Sequence, residues 1–168
     1  MLSALAITLA LAAPGADNDR PWSFQAGLGP EVGLPAGGVR GRMPLDFQYH
    51  LKRTDDGPAL GLQLPMHFAR STFGMNIGPM FMWDFRVVAT PKFRLYVAPM
   101  VALGYHFTTI PPLHATLHAF FMDFGAQLKG VVNERVGFFV RPAGFSVLAA
   151  RGGAAGTYSF LAGVSVMF

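Results

Sequence analysis

From Trp22 onward, apolar and polar residues alternate with a period of two. Such a period places one kind of side chain on each face of a β-strand. Trp22, Phe24, Ala26, Leu28, Pro30, Val32 and Leu34 share one face, and Ser23, Gln25, Gly27, Gly29, Glu31 and Gly33 share the other. A second segment sets Met43, Leu45, Phe47, Tyr49 and Leu51 against Arg42, Asp46, Gln48, His50 and Lys52. The pattern returns over 60–68, 73–87, 93–107, 120–128, 136–141 and 158–168. Turn-forming residues separate the segments, as at Arg53-Thr54-Asp55-Asp56-Gly57-Pro58, Ala89-Thr90-Pro91-Lys92 and Asn133-Glu134-Arg135.

Eight strands are therefore predicted. From Phe93 to Phe107, fourteen steps at about 3.3 Å and a 45° tilt cover roughly 33 Å, enough for a bilayer's apolar band. One face of nearly every strand carries no charge, and aromatic residues gather at both ends of these strips. That arrangement predicts a barrel with its apolar face in lipid. A soluble lipocalin-like barrel or sandwich, the alternative, would instead charge its outer face. Prolines 30, 44, 65, 79, 99 and 142 fall inside strands. Proline lacks a ladder donor, so bulges or strand ends are expected there.

Composition sharpens this picture. Of 168 residues, 52% are hydrophobic and only 13% charged, which excludes a disordered chain. No stretch reaches the roughly 18 apolar residues of a spanning helix, and 20 Gly with 13 Pro disfavour helices throughout. The absence of cysteine excludes disulfides and thiolate sites. The net charge of +4 is scattered, and no basic run exceeds Lys52-Arg53, so nucleic acid is not an expected partner. Residues 1–16 are expected to be a signal peptide. Leu2 to Ala13 has the length of its apolar region, although no Lys or Arg precedes it, and a buried N-terminal helix is the alternative. Residues 17–21 would be a short segment leading into the barrel of 22–168.

These features together resemble the small eight-stranded bacterial outer-membrane β-barrels of the OmpA-transmembrane-domain and OmpX type. The resemblance rests on the signal-like start, the eight alternating segments and the final strand from Tyr158 to Phe168. It implies an all-β, antiparallel, up-and-down transmembrane barrel. Both termini and the turns near 53–58, 89–92 and 130–135 would be periplasmic. Short loops near 35–41, 69–72, 109–114 and 149–157 would face outside. Phe168, with apolar residues at alternate positions before it, resembles the terminal signal read by the outer-membrane assembly machinery. Outer-membrane lipid and that machinery are the expected partners of a monomer.

Eight strands leave an interior that side chains can fill. Asp46, Asp84 and Asp123 are expected to face Arg86, Arg94, Lys129 and Arg141 there, as a paired plug or a narrow ion path. Met80, Met82, Met100, Leu117, Phe121 and Phe145 also point inward by period, and form either a filled core or an apolar pocket. His106-x-Thr108 is the nearest approach to a nucleophile–base pair, and His114 and His118 lack an evident carboxylate, so no catalytic residue, metal or cofactor is assigned. The expected role is structural, or passage of ions or small solutes. The alternative is a barrel that binds lipid or another apolar ligand, with lipid modification as a further option.

Overall fold

The computed structural model describes residues 20–34, 37–52, 56–133 and 135–168; the expected signal peptide lies outside them. Ten strand segments build one closed antiparallel sheet. They are β1 (Trp22–Leu34), β2 (Val39–Met43), β3 (Leu45–His50), β4 (Gly57–Gln63), β5 (Met66–Ala69), β6 (Thr72–Ala89), β7 (Phe93–Ile110), β8 (Ala115–Val132), β9 (Val136–Ala150) and β10 (Gly153–Met167). β2 with β3, and β4 with β5, each form one stave interrupted in the middle, so the wall has eight staves. β10 returns to β1, from Ser23 opposite Met167 to Leu34 opposite Gly156, and no edge remains. The fold is an eight-stranded up-and-down barrel.

The two interruptions have one cause. Pro44 separates β2 from β3, Leu64-Pro65 separates β4 from β5, and the breaks face each other across neighbouring staves. Neither proline can donate to a ladder. Their carbonyls still accept: Gly27 N–H donates to Pro44 O at 3.2 Å and Asn76 N–H to Pro65 O at 2.9 Å. Pro79 and Pro99 lie within continuous strands. Pro142 sits in a bulge, because Val140 and Ala143 of β9 oppose Leu128 and Ala126 of β8, leaving two residues against Gln127. A second bulge adds Val87 to β6, between Arg86 opposite Tyr96 and Val88 opposite Leu95.

The register also sets the shear. Ladder partners lead from Ser23 through Gln48, Gly61, Met80, Ala102, Asp123, Ser146 and Thr157 back to Gly33 of β1, ten residues above the start. The staves are therefore tilted, and one level of the lumen collects side chains from different ladder rows.

Trp22 and Phe168 exchange backbone hydrogen bonds of 3.1 and 2.9 Å, which fixes both chain ends at one rim, here the lower. The β3–β4, β6–β7 and β8–β9 turns share that rim, and the other connections form the upper one. β8 begins at Ala115, and β9 and β10 leave only Arg151-Gly152 between them, so the upper loops near 109–114 and 149–157 are shorter than the sequence predicts.

The apolar strips face outward. Trp22, Phe47, Tyr49 and Phe168 pack together near the lower rim, as do Trp83 with Phe85 and Phe93 with Phe138. Phe68, Phe73 and Phe107 pack near the upper rim. The interior is packed by size. Phe139 is buried and points inward against Gly27 and Gly163; a Cβ on either glycine would stand within 2.8 Å of its ring.

Candidate functional site

The lumen holds the charges that the outer face lacks, arranged in tiers. In the lowest tier, Ser23 Oγ lies 3.1 Å from His50 Nε2, and His50 Nδ1 lies 3.6 Å from Asp84 Oδ2. Asp84 also pairs with Lys129, whose ammonium stands 5.1 Å above the Tyr96 ring. Above this, Arg141 Nη2 donates to Asp46 Oδ2 at 3.1 Å and to Gln127 Oε1 at 3.2 Å, and Gln127 donates to Gln25 at 3.1 Å. Each of these ions is buried with a counter-ion, as low dielectric requires.

At mid-height Arg42 bonds Asp123 and donates to Ser146 Oγ at 2.7 Å. Met80, Met82, Ala98, Met100, Ala102 and Phe121 pack as a buried apolar cluster at this level. Between Arg42, Asp123 and Arg141 remains a cavity of about 10 Å³, room for about one water at most.

The upper tier centres on buried Glu31. It accepts from Arg40 Nε at 2.7 Å and from Thr157 Oγ1 at 2.6 Å, and it lies 2.6 Å from His67 Nδ1. His67 Nε2 and His106 Nδ1 both meet Asn76 Oδ1, the first at 3.2 Å. His106 Nε2 lies 2.6 Å from Thr108 Oγ1. This tier opens into a vestibule at the upper rim. One part, about 500 Å³, is lined by Arg40, His106, Thr108, Leu117 and Leu148 among others. A neighbouring part of about 370 Å³ shares Arg40, Leu148 and Ala155.

Most of the charged residues expected inside are brought together in pairs: Asp46 with Arg141, Asp84 with Lys129, and Asp123 with Arg42. Arg86 is buried, and Arg94 is half-buried near the lower rim. The expected apolar group divides. Met80, Met82, Met100 and Phe121 fill the lumen. Leu117 is 57% exposed at the vestibule mouth.

Phe145 is a correction: it is 39% exposed on the outer face, stacked on Phe124 and edge-on to Tyr158. The β9 bulge causes this. The residue added beside Pro142 reverses the alternation, so Ser146 turns inward where the period of two predicts Phe145. Sequence reasoning placed Arg42 and Glu31 on polar faces and missed their partners. Glu31 and Thr157 are 126 positions apart and meet only when β10 closes on β1. Asn76 faces His106 directly across β6 and β7, a pairing that needs the register. Among the described residues, no group of three or more His, Asp or Glu is placed to hold a metal.

No protein-family model matches the sequence, and no curated protein matches it. Solved structures do. Neisserial surface protein A aligns with a TM-score of 0.62 at 11% identity, over 88% of this chain and 97% of that one. The N-terminal β-barrel domain of Pseudomonas aeruginosa OprF aligns at 0.56 and 16% identity, over 89% and 98%. The chain shares the fold of these small outer-membrane barrels.

Proposed function

We propose that the chain is a monomeric integral barrel of the bacterial outer membrane, with its lower rim in the periplasm, and that its lumen is a structural plug rather than a path. Its partners on this reading are outer-membrane lipid and, through Phe168, the assembly machinery, after export by a signal in residues 1–16. One observation carries the reading. Asp84 with Lys129, Asp46 with Arg141 and Asp123 with Arg42 are locked against one another in the lower and middle tiers, and the space beside Arg42 and Arg141 is only about 10 Å³. A permeant ion would have to displace a buried pair, at the cost of leaving a charge uncompensated.

Reconstitution in a planar bilayer tests this: the expected record shows no unitary steps, and reproducible openings that change in Arg141→Ala would overturn it. A second reading is favoured by the vestibule, whose apolar wall and polar floor suit an amphipathic ligand at the outer surface. Native mass spectrometry after purification in mild detergent should then reveal a retained lipid.

A further inference from the structure

We propose that the upper vestibule is a hydrolytic site for carboxylic esters with an apolar acyl chain, in which Thr108 is the nucleophile and His106 its general base. The inference rests on the vestibule reading and goes beyond it from ligand to reaction. Nucleophilic catalysis by a hydroxyl requires a base within hydrogen-bond reach, itself oriented by a third group. Here Thr108 Oγ1 lies 2.6 Å from His106 Nε2, and Asn76 Oδ1 holds His106 Nδ1. The Nδ1–H donated to Asn76 leaves the Nε2 lone pair directed at the hydroxyl. Asn76 is in turn held by His67, and His67 by Glu31. The order of roles is that of nucleophile, base and orienting group in acyl-transfer enzymes, where recognition is by geometry and not by position in the chain.

The wall is shaped to permit the contact. Gly74 lies opposite Thr108 in the ladder. A Cβ there would come within 2.8 Å of Thr108 Oγ1 and 3.3 Å of the His106 ring. Glycine thus keeps the space in which hydroxyl and imidazole meet. Both side chains line the 500 Å³ vestibule, so a substrate has room beside the hydroxyl. Leu117, Ala119, Leu148, Ala150, Ala154 and Ala155 supply an apolar wall suited to an acyl chain. Arg40, whose Nε is given to Glu31, is on the same wall and would offer its remaining guanidinium N–H groups to a carbonyl oxygen that gains negative charge.

The reaction balances with water as co-reactant. Thr108 Oγ1 adds to the ester carbonyl carbon while its proton passes to His106 Nε2. Collapse of the tetrahedral adduct breaks the bond to the alkoxy oxygen, which leaves as the alcohol with that proton. Water then adds to the acyl carbon, gives a proton to His106, and releases the fatty acid; the proton returns to Thr108 Oγ1.

The test uses the full chain folded in detergent, with an alkyl fluorophosphonate and with p-nitrophenyl acetate, octanoate and palmitate as probes. A heat-dependent shift in gel mobility confirms the closed barrel in every variant. The expected result is one fluorophosphonate adduct on the peptide containing Thr108, and faster hydrolysis of octanoate than of acetate. Thr108→Ala and His106→Gln should lower hydrolysis by about 10²-fold or more and abolish the adduct. Thr108→Ser should keep both, and Ser23→Ala should change neither. Asn76→Ala should lower kcat with KM unchanged, as expected of a positioning residue. A heat-shifting wild-type barrel that neither labels nor hydrolyses overturns the proposal. If that barrel still retains lipid, the vestibule reading stands and only the reaction falls. An adduct that survives Thr108→Ala also overturns it.

Discussion

The two ends of the lumen set nearly the same residue types in opposite surroundings. In the lower half, Ser23, His50 and Asp84 stand in a row; in the upper half, Thr108, His106 and Asn76 do. Ser23, His50 and Asp84 are all buried, and Asp84 is committed to Lys129. The upper hydroxyl borders a 500 Å³ vestibule. Spacing of a hydroxyl, an imidazole and an acceptor is thus not enough to make chemistry; access decides. The lower row is closed in among paired, buried charges, and the upper row faces an open vestibule.

The contrast predicts a graded response to mutation. The largest effect belongs to the lower half. Asp84→Ala strands the Lys129 ammonium and should cost about 3–5 kcal/mol, read as a lower urea midpoint for folding into micelles. Gly163→Val comes next. Its side chain would collide first with the Ala26 carbonyl oxygen and the Gly27 backbone and then with the Phe139 ring, and should cost about 1–3 kcal/mol by overpacking, read in the same titration. Replacing both partners, Asp84→Leu with Lys129→Met, should recover most of the Asp84→Ala loss, because no charge is then left alone; recovery below half would show that the pair itself stabilises the barrel. Arg40→Ala should have the smallest effect. Its side chain is 23% exposed, and Glu31 keeps Arg42, His67 and Thr157. A loss under about 1 kcal/mol is expected, with ester hydrolysis falling more than stability does.

The alternation of Trp22, Phe24, Phe47, Tyr49 and their successors was enough to read the barrel, its stave number and its lipid-facing surface. That information is local, because it depends only on which side chains lie two residues apart. The interior was legible in character but not in connection. Asp46 and Arg141 are 95 residues apart, and nothing in either segment names the other. Their meeting depends on the shear and on the closure of β10 against β1. Phe145 was misplaced for the opposite reason. One inserted residue beside Pro142 reverses the phase of everything after it in β9; the proline marks a place where a bulge is expected, but only the register shows that the phase changes there. His106-x-Thr108 was visible as a spacing; Asn76, which turns the spacing into an oriented base, was not.

The ten-residue rise of the ladder around the wall makes the barrel a screw thread. A thread has one pitch, and every stave must share it. An added residue within a stave either shifts all its neighbours or is set aside locally, as Val87 and the residue beside Pro142 are. Length can therefore vary freely at the upper rim, where connections join the thread's crests. Within the wall, each insertion must be matched by a place to put it.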